Sequence, residues 1–233
     1  MDGAARSLLD LWDVTEDAVL GMRADDWSRP TPCPGMDVTD LVVHLAGVRY
    51  AGPERVREAV GAARELVADR LARQPPTRRV LGAQCLDMCV HAHDLSAAVG
   101  EPFDLAEHGP AALEACRLVV DVAPRLLVAA LGSGDATVRL VVRGDRGAER
   151  GVASSGQEQV LDRTVHIAGG RLAVAEPREG RAAPAPDAVE IDAGALLLML
   201  TGRRDADSLA AEGSASWSGP GADAFVHRAR LVG

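Results

Sequence analysis

The amino-acid sequence predicts a protein with two domains of different class: a helical bundle over residues 1–133, followed by a small α+β domain over residues 134–233. Apolar residues recur at helical spacing in the first part of the chain and alternate as in β-strands after residue 134. Stretches rich in Gly and Pro separate these segments. With 233 residues, of which 47% are hydrophobic, the chain can bury a core without disulfide support.

The first two predicted helices flank a proline-rich loop. Residues 7–20 carry Leu8, Leu11 and Val19 at helical spacing, whereas residues 27–35 contain three prolines and are expected to form an ordered, non-helical loop. The second helix begins after Asp37, an N-cap residue, and includes residues 41–45. Asp40 stands three residues after Asp37, as in a capping box.

Three further helical segments follow, the first of which continues the second helix after an interruption at Gly52-Pro53. One starts at Pro53 and runs to about Arg73, the next covers residues 79–99 and ends at Gly100, and the last covers residues 110–131 with a kink at Pro124. Four long helical segments in succession predict a four-helix bundle.

The second domain is predicted from alternation and turn residues. Residues 138–142 alternate, and residues 165–167 and 172–174 flank a Gly169-Gly170 turn like a hairpin. A further strand is expected over residues 188–192, followed by an apolar helix over residues 193–200. Residues 178–187, rich in Pro, Gly and Ala, predict a mobile loop.

The composition of the chain excludes several classes of function. The formal charge is −9, and all basic residues are Arg, so a nucleic-acid partner is not expected. No apolar run reaches the roughly 20 residues of a membrane span, and the N-terminus lacks the pattern of a signal peptide. We therefore expect a cytoplasmic monomer or homodimer without a membrane partner. Its four cysteines suggest no disulfide framework.

Three residues form a candidate metal site. Asp87 and His91 are four residues apart in one predicted helix and project from the same face, and His44 lies in another helix of the bundle. Two imidazoles and a carboxylate with open positions are typical of catalytic zinc, although nickel, iron or cobalt would also suit this set. Spacing alone leaves a competing interpretation, in which a histidine is a hydrogen-bonded core residue.

Two motifs resemble those of a known family. Residues 31–35 (TPCPG) and 40–45 (DLVVHL) are similar to the N-terminal signature of the mycothiol-dependent maleylpyruvate isomerase family, which is part of the DinB-like metalloenzymes. Residues 86–95 (LDMCVHAHDL) resemble the family's second metal-binding helix. The C-terminal part, residues 192–203 and 213–231, is more loosely similar to the family's sterol-carrier-like domain.

The resemblance implies a DinB-like bundle that binds zinc, or another divalent transition metal, through His44, Asp87 and His91. It also implies mycothiol as a thiol cosubstrate and a metal-activated thiolate that attacks a small conjugated electrophile, giving isomerisation or S-conjugation. An Arg from the second domain would bind the substrate. Arg203 is the first candidate, with Arg228 and Arg230 as others. Asp87 departs from the Glu that is usual in this family.

Some roles stay open at the level of sequence. Asp94 is either a hydrogen-bond acceptor for a metal-bound His91 or a surface acid that stabilises its helix, and Cys33, Cys85 and Cys89 are interpreted as small core residues. His93 is expected to point away from the metal. A metal-dependent hydrolase or biosynthetic enzyme that needs no thiol, and a non-catalytic protein that binds an apolar ligand, are the alternative functions.

Overall fold

A computed structural model describes residues 2–50, 52–101, 103–122, 127–129, 135–144, 160–168, 171–176 and 187–231. Within these residues, a helical N-terminal unit is followed by a C-terminal unit built on a mixed β-sheet, which confirms the predicted fold class. Among the helices of these ranges, none has the length and apolar character needed to cross a membrane.

In the described part of the N-terminal unit there are five α-helices, and the predicted bounds agree closely for most of them. They are α1 (Gly3–Gly21), α2 (Val38–Ala46), α3 (Pro53–Arg73), α4 (Arg78–Val99) and α5 (Gly109–Arg117). Their apolar faces form the core of the bundle, in which Leu8, Leu41 and Leu95 have no exposed surface. The helices that carry the candidate ligands, α2 and α4, contact each other directly.

The proline-rich loop between α1 and α2 is ordered by its own hydrogen bonds. A 3₁₀-helix, Ala24–Ser28, leads into the loop, and its last two residues belong to the stretch over residues 27–35 that was expected to be non-helical. Pro30 and Asp37 then form an isolated β-bridge, and the Thr31 hydroxyl lies 2.9 Å from the Met36 carbonyl oxygen. This loop delivers the chain to the start of α2.

One helix prediction is wrong at its end. We expected a helix over residues 110–131, but α5 passes into a π-helical turn, Leu118–Val122, and Leu127–Ala129 is a β-strand (β1). Its partner is β7 (Ala229–Leu231), about a hundred residues further along the chain. Because such a partner is invisible to local periodicity, helix propensity was outweighed by tertiary pairing.

The main sheet has five strands, and its inner face is apolar. The strands are β2 (Ala136–Arg143), β3 (Val160–Ala168), β4 (Arg171–Ala175), β5 (Asp187–Asp192) and β6 (Ala215–Ser218), in the order β4-β3-β2-β5-β6. The pair β2–β5 is parallel and the other pairs are antiparallel. The predicted alternation is confirmed, since Val138, Leu140 and Val142 are all fully buried.

The apolar helix α6 (Ala193–Leu200) lies where the two units meet. All eight of its residues are buried, and the helix contacts α4 and α5 of the helical unit as well as β2, β5 and β7. Two further helices, α7 (Ala206–Ala211) and α8 (Pro220–Arg228), complete the C-terminal unit. The turn after α6 is therefore held in place by a fully buried element.

Several predictions fall outside the described residues. They are the kink at Pro124, the domain boundary near residue 134, the turn at Gly169-Gly170 and the loop over residues 178–186. These stay predictions.

Candidate metal centre

Two helices of the bundle bring the three predicted ligands together. His44 lies in the last turn of α2, and Asp87 and His91 lie one turn apart on α4. The Oδ1 atom of Asp87 is 3.3 Å from Nε2 of His44 and 3.4 Å from Nε2 of His91. One donor atom from each residue can be chosen so that all three lie within 4.8 Å of one another.

The sequence around His44 fixes where α2 begins and ends. The Asp37 carboxylate accepts a hydrogen bond from the Asp40 amide at 2.9 Å, and the Asp40 side chain in return accepts one from the Asp37 amide. At the other end, Gly47 adopts a left-handed conformation with φ of 65°, which an L side chain rarely takes. The capping box and the glycine thus limit α2 to nine residues, with His44 near its end.

The spacing of the donors fits a small divalent metal. Zinc binds nitrogen and oxygen ligands at about 2.0–2.2 Å, so two ligands on the edge of a coordination tetrahedron are separated by about 3.3–3.6 Å. The two separations measured from Asp87 lie in this range. His91 is mostly buried, whereas His44 and Asp87 are about half exposed, so one side of the centre faces solvent. That side leaves room for exchangeable ligands.

A comparison with protein-family models finds a match to part of the N-terminal unit. Residues 8–77 match the model of the mycothiol maleylpyruvate isomerase N-terminal domain. This region of the chain is therefore similar to that domain. No curated protein matches the chain.

The isomerase N-terminal domain match covers only part of the candidate centre. It includes α2 with His44, and it ends just before α4, which carries Asp87 and His91. The resemblance in the first signature is therefore confirmed by the family model. The assignment of the three residues as ligands stays a prediction, supported by their geometry.

Asp94 lies directly behind the candidate metal centre, and it is not a surface acid. Its side chain is 0% exposed, and Oδ2 lies 3.4 Å from Nδ1 of His91. Burial alone would raise the pKa of the carboxyl group, but His91, His93 and Arg203 together outweigh burial and hold the pKa well below its usual range. Asp94 is therefore ionised at neutral pH, next to the inner nitrogen of His91.

Arg203 reaches Asp94 from the turn that follows α6. Its Nε and Nη2 atoms donate to the two carboxylate oxygens at 3.1 and 2.8 Å, and Nη1 donates to the Thr201 carbonyl at 2.7 Å. The predicted role of Arg203 is to bind a substrate carboxylate. Two of its guanidinium nitrogens already donate to Asp94, so a substrate would have to share this group with Asp94. Arg228 and Arg230, the other candidates, are exposed side chains.

Cys33 is a residue whose position was not predicted correctly. We expected a core residue, but the structure places Cys33 partly exposed in the proline-rich loop, with Sγ within 4.8 Å of donor atoms of His91 and Asp94. Cys85 and Cys89 are buried as predicted, and burial raises the pKa of Cys85 to about 12. The signal for Cys33 was its place in the TPCPG motif, which the sequence alone does not relate to α4.

A separate cavity of about 590 Å³ lies between the helical unit and the sheet. Its lining includes His93, Phe103 and Leu198, but none of the three candidate ligands. His93 therefore points to a different side of α4 from His91, as predicted.

Proposed function

We propose that the protein is a metal-dependent and mycothiol-dependent isomerase or S-transferase that acts on a small conjugated electrophile in the cytoplasm. The observation that carries this proposal is the convergence of His44, Asp87 and His91, with Asp87 Oδ1 at 3.3 and 3.4 Å from the two imidazoles, in a chain whose residues 8–77 match the mycothiol maleylpyruvate isomerase N-terminal domain. The metal would be zinc or another divalent transition metal.

The three side chains would hold the metal, which when bound supplies an open position where a thiol is stabilised as a thiolate at neutral pH. The half-exposed faces of His44 and Asp87 leave the solvent side accessible to the thiol and to the substrate. The mostly buried His91 anchors the inner side. A divalent metal held by two neutral imidazoles and one carboxylate would keep a net positive charge, which favours an anionic sulfur ligand.

The reaction class follows from the chemistry of a thiol and a conjugated carbonyl compound. Addition of the sulfur to the alkene forms a C–S bond and converts the C=C bond into a single bond, about which the substrate can rotate. Expulsion of the sulfur then restores the alkene as the trans isomer, whereas protonation of the carbanion and retention of the sulfur give an S-conjugate. Both outcomes require the same activated thiol.

The test is turnover of maleylpyruvate by the zinc-loaded protein in the presence of mycothiol. NMR would follow the cis and trans isomers, and mass spectrometry would detect an S-conjugate. We expect turnover to require thiol and to be lost in His44→Ala. His166→Ala is the matched control, because this exposed histidine lies on β3 and binds Thr137.

Two results would contradict the proposal. Equal rates for wild type and His44→Ala would remove the candidate centre from the reaction. Turnover that is the same with and without thiol would instead support the metal-dependent hydrolase or biosynthetic enzyme.

A further inference from the structure

Arg203 of the C-terminal unit binds Asp94, and Asp94 lies next to His91 of the candidate metal centre. We propose that Arg203 is a positioning residue: it fixes the Asp94 carboxylate against Nδ1 of His91, and so makes metal affinity depend on the C-terminal unit. This inference rests on the proposed function, in that His91 must be a metal ligand.

The contact between Arg203 and Asp94 is well defined at both ends. Two parallel hydrogen bonds join the guanidinium to the carboxylate, and the side chains are 11% and 0% exposed. The backbone of Arg203 is also anchored, because its amide donates to the Leu198 carbonyl at 2.8 Å. Since Leu198 belongs to the buried helix α6, the guanidinium has little freedom to move away from Asp94.

The two ring nitrogens of His91 face different acids. Nε2 lies 3.4 Å from Oδ1 of Asp87, on the side of the candidate ligands, and Nδ1 lies 3.4 Å from Oδ2 of Asp94. An ionised carboxylate next to Nδ1 favours the tautomer with its proton on Nδ1. The lone pair of Nε2 is then directed to the metal side. Nδ1 of His91 is buried and makes no hydrogen bond of regular geometry, so it is the charge of the carboxylate at 3.4 Å that would set the tautomer and the orientation of the imidazole.

Arg203 keeps the Asp94 carboxylate in its position next to His91. Without the two hydrogen bonds from Arg203, the buried Asp94 carboxylate would lose the contacts that fix its orientation and could turn toward water. A displaced Asp94 would no longer lie against Nδ1 of His91. Loss of such supporting contacts around a metal ligand typically weakens metal binding by about 10–100-fold.

The experiment measures zinc affinity, by competition with a chelating dye, and the absorption spectrum of the cobalt-substituted protein. We expect Arg203→Lys and Asp94→Asn to bind zinc about 10–100-fold more weakly than wild type and to show an altered cobalt spectrum. Lysine keeps the charge of Arg203 but cannot form two parallel hydrogen bonds.

The matched control is Arg163→Lys. Arg163, on β3, also forms two hydrogen bonds to an acid of the helical unit, Asp121, at 2.7 and 2.8 Å. Within the part of the chain that the structure describes, neither Arg163 nor Asp121 contacts a candidate ligand. The control should therefore keep wild-type zinc affinity and the wild-type cobalt spectrum, even if it loses some stability.

A measurement on wild type alone covers the case in which the variants fail to fold. In zinc-loaded protein labelled with nitrogen-15, the shifts of His91 should show a protonated Nδ1 and a metal-bound Nε2. Zinc bound through Nδ1, together with Cys33, would overturn the inference, as would wild-type affinity in folded Arg203→Lys. If wild type itself binds no metal, it is the proposed function that fails.

Discussion

Replacing Arg203 with methionine removes the cationic partner of Asp94 and keeps an unbranched side chain in the same place. Because the Asp94 side chain is 0% exposed and that of Arg203 only 11%, the carboxylate is left without its partner in a buried environment. Removing one member of a buried ion pair typically costs about 3–5 kcal/mol. We expect the free energy of unfolding of Arg203→Met to fall by about this amount at pH 7.

The pH dependence follows from the lowered pKa of Asp94 in the folded protein. A carboxyl group whose pKa is lower in the folded state stabilises the protein above its unfolded pKa, about 3.9, and this contribution is lost as the pH falls through the folded pKa. The variant lacks this contribution. The difference in stability between wild type and variant should therefore be largest at neutral pH and shrink in acid.

Urea unfolding of the metal-free proteins at pH 7 and at pH values below 4 would measure both effects. Arg163→Met serves as control, because the Arg163–Asp121 pair is more exposed, at 18% and 27%. Ion pairs at the fully exposed surface contribute about 0–1 kcal/mol, so this partly exposed pair should cost less to break than the buried one. The reasoning is refuted if Arg203→Met loses no more stability than Arg163→Met, or if its deficit grows as the pH falls.

Four further substitutions, at three positions, test the construction of the centre and of the bundle around it. Asp87→Ala should weaken zinc binding more than the roughly 10–100-fold expected for a supporting residue, whereas Asp87→Glu should keep one bound zinc; dye competition measures both, and equal affinities for the two variants would argue against a carboxylate ligand. Asp37→Ala removes the cap of α2 and should cost about 1 kcal/mol in urea unfolding, and an unchanged midpoint would contradict this. Gly82→Ala should destabilise the bundle by about 1–3 kcal/mol, because the new Cβ would lie 2.8 Å from Cβ of Leu118; a melting temperature at or above that of wild type would show that the neighbour moves aside at little cost.

Local signals in the sequence predicted most of the helices. The bounds of α2 follow from the Asp37–Asp40 capping box, the start of α3 from Pro53 and the end of α4 from Gly100, and each of these acts within a few residues. The same holds for β2, where alternation alone identified the buried face. The fold class could be predicted because its elements are specified locally.

Contacts between distant residues could not be predicted in the same way. The strand β1 depends on residues 229–231, and Arg203 lies 109 residues from its partner Asp94. From the sequence, Asp94 could be either a hydrogen-bond acceptor for His91 or a surface acid. No residue near it in the sequence indicates that the turn after α6 covers this part of α4. Cys33 was misassigned for the same reason, because only the folded loop brings it to His91.

Metal content tests the central claim most directly. Zinc-loaded, untagged wild type and His91→Ala should be separated from free metal and analysed by inductively coupled plasma mass spectrometry, with circular dichroism to establish that both are folded. We predict one bound metal ion per chain in wild type and little in His91→Ala. Equal metal in the two folded proteins, or none in wild type, would contradict a centre built from His44, Asp87 and His91.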